Sequence, residues 1–398
     1  MKNVIVIGGG AAGFFAAINI AEKHPDYNVT ILEKTDKVLS KVKVSGGGRC
    51  NVTHHEFNVK PFSKNYPRGE KQVLKLLHEF QAEDTVAWFQ KRGIKLKVEK
   101  DGRMFPITDS SQTIIDCFLK EAQRLKIGII KKEDVKSIER HDNWKITTKE
   151  NQYNADSIVI TSGSTNAMWH ILRELGHTIA SPVPSLFTFK IEDPRIKDLP
   201  GVAFKHVTTK IAGTKLTTEG PLLITHWGLS GPAILRLSAW GAIELAKNHY
   251  SFLVNINLAA KSFELVKQEL NDIAKESPKK LIENTIPCDL PKRYWQTLLK
   301  HIEVNPENRW CDVGSKTINK LCEELTNAQF QVTGKSTFKD EFVTCGGVNL
   351  SEIDTHTMQS KLLPDLFFAG EVINVDAITG GFNFQNAWTT AWVVSENI

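Results

Sequence analysis

The 398-residue sequence predicts an α/β fold: a doubly wound parallel domain assembled from both chain ends, with a β-barrel-like and helical domain inserted between them. Three observations predict it. A β-branched run, Val4–Ile7, passes through Gly8-x-Gly10-x-x-Gly13 into a helical pattern at Ala11–Lys23. Apolar buried-strand patterns that end in glycine recur in "DSIVITSGS" and "LLPDLFFAGEVI", the latter close to the C-terminus. Between them, from about Ser185, the texture changes to short β-rich segments punctuated by Gly and Pro. The expected boundaries are 1–186 and 345–398 for the first domain and 187–344 for the insertion, with a helical subdomain at about 260–330.

Taken in order, Val4–Ile7 has the composition of a strand buried on both faces. Each glycine after it serves a different need, with Gly8 making a tight turn, Gly10 letting backbone approach a pyrophosphate, and Gly13 allowing close helix–strand packing. The start of the following helix, with Ala11 and Ala12 in its first turn, offers free N–H groups and the positive end of the dipole. Strand Asn28–Leu32 ends at Glu33, where an acidic side chain accepts from ribose hydroxyls. This is a Rossmann-type dinucleotide site. Lys71–Arg92 and Ser111–Leu125 read as amphipathic helices. "IGIIKKEDVKSIER" and "WKITTKE" read as a strand and part of a meander. In the insertion, helices are expected over Ser262–Asn327, broken by "NTIPCDLPKRY", and "AQFQVTGK" and "EFVTCGG" form a strand pair.

The net charge of +5, from 50 basic and 45 acidic residues, shows no nucleic-acid footprint, and no nucleic-acid partner is expected. The cluster Lys34, Lys37, Lys41, Lys43 and Arg49 follows the fingerprint closely enough for one or two members to face a phosphate. Met1-Lys2-Asn3 runs straight into a core strand, no stretch has the length of a membrane span, and a cytoplasmic, membrane-free protein is expected. The six cysteines form no CxxC pair and the twelve histidines no ligand spacing, so neither a redox disulfide nor a metal is expected. Oligomeric state is left open.

Three segments choose between NAD and FAD. Ser45-Gly46-Gly47-Gly48 suits backbone passing close to a flat ligand, with Arg49 and Asn51 as donors beside it. "FFAGEVINVDAITGGFNFQNAW" supplies a second strand end, Gly370, an acidic residue for a polyol, Glu371, and a second helix start at Gly380-Gly381. Thr161-Ser162-Gly163 edges the same crevice. NAD needs one such arrangement; FAD, with a pyrophosphate, a ribitol and a flavin ring, benefits from two. Non-covalent FAD is therefore expected. The candidate cofactor residues are Gly8, Gly10, Ala11, Ala12, Gly13, Glu33, Lys34, Lys41, Ser45, Gly46, Gly48, Arg49, Cys50, Asn51, Val135, Thr161, Ser162, Gly163, Gly370, Glu371, Gly380, Gly381, Phe382 and Asn383.

"SGGGRCNVT", "THWGLSGPAIL", "TCGGVNLSEIDTHTMQSK" and "LFFAGEVINVDAITGGFNFQNAW" resemble, in order and across essentially the whole chain, the NAD(FAD)-utilising dehydrogenase flavoproteins. That family includes aminoacetone oxidases and the BaiN-type flavoproteins of bile-acid operons. The resemblance implies FAD held mainly by the N- and C-terminal segments, with an inserted β-barrel and helical cap. Ser162, Asn374 and Gln359 depart from the family pattern, where a glycine, an aspartate and a glutamate are usual.

The function expected is that of an FAD-dependent oxidoreductase on a small organic substrate, with hydride passing to or from flavin N5. Backbone N–H groups of Gly381 and Phe382 are placed to stabilise charge at flavin N1–C2=O. No second GxGxxG is present, so NAD(P)H is expected only as a transient electron donor. His226 is the acid/base candidate from the insertion; Cys50 lacks a partner cysteine for redox work. Two other classes stay open: a flavin-dependent tRNA-modifying protein and a non-catalytic flavin-binding protein.

Overall fold

The computed structural model describes residues 1–336 and 343–398. It divides into two compact units, Met1–Pro184 with Lys339–Ile398, and Ser185–Phe338.

The first unit is built on five parallel strands: β1 (Asn3–Ile7), β2 (Asn28–Glu33), β3 (Gly128–Lys131), β4 (Ser157–Ile160) and β5 (Leu366–Phe368), in the order β5-β4-β1-β2-β3. Val4 and Val6 are wholly buried and Ile5 and Ile7 nearly so, as expected for a central strand covered on both faces. The strand order reverses at β1, flanked by β2 on one side and β4 on the other, so a crevice opens beyond their carboxyl ends. Helix α1 (Ala11–Lys23) and the C-terminal helix α2 (Phe382–Asn397) pack together through an aromatic core in which Phe15 meets Trp88 at 4.6 Å and Trp388 at 5.3 Å between ring centroids. The C-terminal segment thus completes the same sheet and core as the N-terminus.

One local expectation changes in this unit. The pattern over Lys71–Arg92 folds as two helices, Glu70–Leu76 and Ala82–Lys91. Asp84 Oδ2 accepts the Gln81 N–H at 2.8 Å at the start of the second, while Phe80 turns inward against Phe15 and Trp392. The meander does form, from antiparallel strands Val135–Arg140, Trp144–Thr148 and Gln152–Ala155.

The second unit carries a seven-stranded antiparallel sheet. Its two edge strands, Ala328–Val332 and Gly334–Ser336, are consecutive in sequence, so the sheet curls back on itself in the manner of a barrel. Pro232 opens a helix over Pro232–Lys247. Further helices span Phe263–Glu276, Lys292–His301 and Ser315–Asn327. Among the described residues, the "AQFQVTGK" and "EFVTCGG" strands do not pair with each other. Ala328–Val332 pairs with Phe252–Asn257, and Val343–Val348 pairs with Ile179–Ser185. Glu341 and Phe342, at the start of the second of these, lie outside the described residues. Among the described residues no helix is long and apolar enough to cross a membrane.

Candidate cofactor site

The site begins where β1 turns into α1. A Cβ on Gly13 would stand 1.9 Å from the Gly8 carbonyl oxygen, so only glycine lets the helix approach the strand end this closely. Gly10 faces open space, with no atom within 4 Å of where its Cβ would be. It precedes α1 without a side-chain cap, which leaves the first-turn N–H groups of the helix for a ligand. At the end of β2, Glu33 Oε2 accepts the Gly9 N–H at 2.9 Å, and Oε1 accepts the Thr35 N–H at 2.9 Å. These bonds fix the carboxylate at the edge of the crevice. Gly8, Glu33, Lys34, Val135, Ser162 and Met168 line one cavity there.

The glycine loop lies beyond it. Gly46, Gly47 and Gly48 have φ of 56°, 68° and 83°, a left-handed run that breaks the helix begun at Ser40. Nothing lies within 4 Å of the missing Cβ positions of Gly47 and Gly48. The loop is tied to the start of α2. Asn51, its amide oriented by its bonding partners, donates to Thr53 O at 3.0 Å and accepts the Gly381 N–H at 2.9 Å. His54 Nδ1 donates to Gly380 O at 3.0 Å, and its ring stacks on Phe382 at 4.7 Å. Thr53 Oγ1 donates to Gln385 Oε1 at 2.6 Å. Nearby, Lys41 pairs with Glu371 at 2.5 Å, and Glu371 also accepts the Thr344 N–H at 3.0 Å. Gly163, with φ of 64°, stands beside the same carboxylate.

A match to the family model described as "HI0933-like protein Rossmann domain" covers residues 2–397. The chain belongs to the HI0933-like family. This is the flavoprotein family of NAD(FAD)-utilising dehydrogenase type that the sequence signatures implied, and it is one of FAD-dependent oxidoreductases. The chain is 28% identical over 414 residues to a ribosomal RNA dihydrouridine synthase of Escherichia coli K12, covering 100% of this chain and 98% of that protein. It is 25% identical over 411 residues to a 3-dehydro-bile acid delta(4,6)-reductase of Clostridium scindens, covering 99% and 98%. In fold it resembles the crystal structure of a 3-ketosteroid-delta4-(5alpha)-dehydrogenase from Rhodococcus jostii RHA1, with a TM-score of 0.51 at 12% identity and coverage of 99% and 97%.

The residues present fit the HI0933-like family's cofactor. An uncapped helix start with open space at Gly10, a ribose-side carboxylate, and a side-chain-free loop are what a pyrophosphate, a ribose and a flat ring require. Not every expected residue faces that space. Arg49 turns away to bond Glu99 at 2.6 Å and stacks on Phe105 at 4.0 Å. Cys50 is wholly buried with φ of 61°, and burial pushes its thiol up to about 12, so its side chain offers the site no reactive thiolate. Thr161 spends its hydroxyl on the carbonyls of Ile7 and Gly8, and Ser45 on that of Val42. Asn383 braces Ala377 with both ends of its amide. Gly370 packs against Ala12 and donates its N–H to Thr390, holding β5 to the helices. Phe382 is core, its carbonyl accepting from Tyr66. His226 stands at an exposed turn of the second unit, between Thr217–Thr225 and Gly228–Ser230, where Thr225 Oγ1 closes the turn.

Sequence reasoning missed His54, Tyr66 and the buried ion pair of Arg68 with Asp376. The doubled "HH" after the glycine loop was the available signal for the first. Nothing local marked the pair, whose partners come from opposite ends of the chain.

Proposed function

We propose that the protein is an FAD-dependent reductase of a carbon–carbon double bond conjugated to a carbonyl, and that its substrate is a uracil ring in ribosomal RNA. The observation that carries the reading is the chemistry shared by the names of two of its full-length relatives, one forming dihydrouridine and the other reducing a delta(4,6) bile acid. The uracil C5=C6 bond is conjugated to C4=O, and the double bonds of a delta(4,6)-3-ketone to C3=O. FAD, when bound, supplies hydride at flavin N5 for such a bond.

The chain's own residues contribute in three ways. Glu33 and the first turn of α1 hold the ribose and pyrophosphate. The bare backbone of Gly47 and Gly48 lets a ring lie flat, and the first-turn N–H groups of α2 present the positive end of a dipole to an anionic ring edge. NAD(P)H is the proposed electron donor, reaching the site transiently.

The RNA substrate is placed first because the dihydrouridine synthase is the more similar of the two. The small net charge is not a barrier, since +5 averages over the whole surface and says nothing of where 50 basic residues stand. The bile-acid relative favours a second reading, a small steroid-like enone. Purified, FAD-loaded protein with NADPH is given either rRNA from a strain lacking the gene or a 3-keto-4-ene steroid. Dihydrouridine detected by mass spectrometry supports the first reading; steroid reduction without it supports the second. Failure of both sinks the reductase and leaves the non-catalytic flavoprotein.

A further inference from the structure

We infer that Glu133 reads the amino edge of the cofactor's adenine and so selects an adenine dinucleotide over its 6-oxo analogue; this rests on the FAD reading above. Glu133 follows β3 by two residues. Its N–H donates to Glu33 O at 2.9 Å, so its position is fixed beside the strand end that carries the ribose-side carboxylate. The residue is 7% exposed and lines the cavity shared by Gly8, Glu33 and Ser162, whose empty volume is about 410 Å³ including its open mouth. Leu32, Val135 and Met168 give the lining apolar surface for a purine face, beside the polar Lys34, Asp134 and Thr165.

The carboxylate is half satisfied. Oε1 accepts Asn151 Nδ2 at 2.7 Å, while Oε2 is buried with no hydrogen-bond partner. A buried carboxylate oxygen without a donor is costly, and a carboxylate can only accept. An open acceptor at the cavity wall suits a donor that arrives with the ligand. Adenine carries an exocyclic amino group; hypoxanthine has a carbonyl oxygen at that position, which would face the carboxylate as a second acceptor. Two rival donors stand nearby: Lys34, which lines the same cavity, and Tyr153, whose phenol is raised first by burial, next by the charge of Glu133 and then by a hydrogen bond to that carboxylate.

The test uses the full-length protein freed of flavin and reconstituted with FAD or with the analogue whose adenine amino group is replaced by oxygen. Affinities are read from flavin fluorescence, with no turnover involved. The wild type is expected to prefer FAD by about tenfold or more, as for a hydrogen bond to a charged group. Glu133→Gln should bring the ratio close to one, because an amide can turn a donor toward the oxo group. Tyr153→Phe should keep the preference. Equal binding of both dinucleotides by the wild type overturns the inference without any variant. So does a preference that survives Glu133→Gln, or one that Tyr153→Phe abolishes. Binding of neither dinucleotide by the wild type instead overturns the cofactor reading itself.

Discussion

The side-chain carbonyl of Asn51 accepts the backbone N–H of Gly381 at 2.9 Å, which joins the glycine loop to the start of the C-terminal helix. This is the N–H that the sequence assigned to the flavin N1–C2=O edge. It already has a partner, and the donors left at this helix start are those of the first turn beginning at Phe382. Gly381 is also packed hard: with φ of 95°, a Cβ there would stand 2.5 Å from the Thr53 carbonyl oxygen.

Gly381→Val is therefore expected to act on the fold. Overpacking against backbone costs about 1–3 kcal/mol or more, and the left-handed φ adds strain. The flavin-free variant should melt several degrees lower than the wild type in calorimetry. A variant that melts normally yet shows a lowered flavin midpoint potential would restore the electrostatic role.

Thiol chemistry should be confined to one residue. Cys311 is exposed, whereas burial pushes the thiols of Cys50 and Cys288 up to about 12 and those of Cys117 and Cys345 up to about 11. Native alkylation at neutral pH followed by peptide mass mapping should label Cys311 well before the others. Early labelling of Cys50, with loss of flavin binding, would return it to the site.

A pH dependence is set by His177, whose side chain lies buried between Glu352 and Ser360. Nδ1 is 3.2 Å from Glu352 Oε2, and Nε2 is 3.1 Å from Ser360 Oγ. The trio has the members of a hydrolytic triad, but Ser360 Oγ accepts the N–H groups of Leu362 and Leu363 and is fixed in a turn. Burial holds the imidazole below its ordinary value, an effect only partly offset by Glu352. The unfolded chain thus binds a proton near pH 6.5 that the folded one resists, and stability falls as the pH drops below that value. Glu352 is shifted in the same destabilising direction under acid: burial opposes its charge, but bonds from Thr178 and His177 hold it below the usual carboxylate range. Its contribution is lost at still lower pH. Melting temperatures between pH 7 and pH 5 should decline in the wild type and decline less in His177→Gln. Equal slopes would remove His177 from the titration.

What the sequence made legible is what local pattern determines. β1, α1 and β2 carry their period, their glycines and their terminal acid within one short stretch, and the structure places Gly8, Gly13 and Glu33 around one crevice. The break between Glu70–Leu76 and Ala82–Lys91 was hidden because the apolar positions keep helical spacing across it, and only the packing of Phe80 on Phe15 and Trp392 shows why the chain turns there. Strand partners are long-range choices, which is why Val343–Val348 was paired wrongly. Proximity was readable for Arg49 but direction was not: Glu99 and Asp109, which claim its guanidinium, are distant in sequence. Glu133 sits in the charged run "KKED", inside a stretch read as a strand, and only its burial separates it from its neighbours.

Glu33 does two things in the fold, and they can be separated. Its carboxylate braces the turn by accepting from Gly9 and Thr35, and it borders the cavity where a ribose would lie. Glu33→Ala removes both. Loss of the brace should lower the melting temperature of the flavin-free protein. Loss of a charge-assisted bond to a ribose hydroxyl, roughly 1.5–3 kcal/mol, should weaken FAD by about tenfold or more. The second effect is isolated by comparing ADP with 2′-deoxy-ADP as competitors for the site. The wild type should favour ADP, and Glu33→Ala should bind both alike, because the hydroxyl then has no acceptor to find. A variant that melts lower but keeps both its FAD affinity and its preference for ADP would make Glu33 a brace alone, and the ribose would need another acceptor at the end of β2.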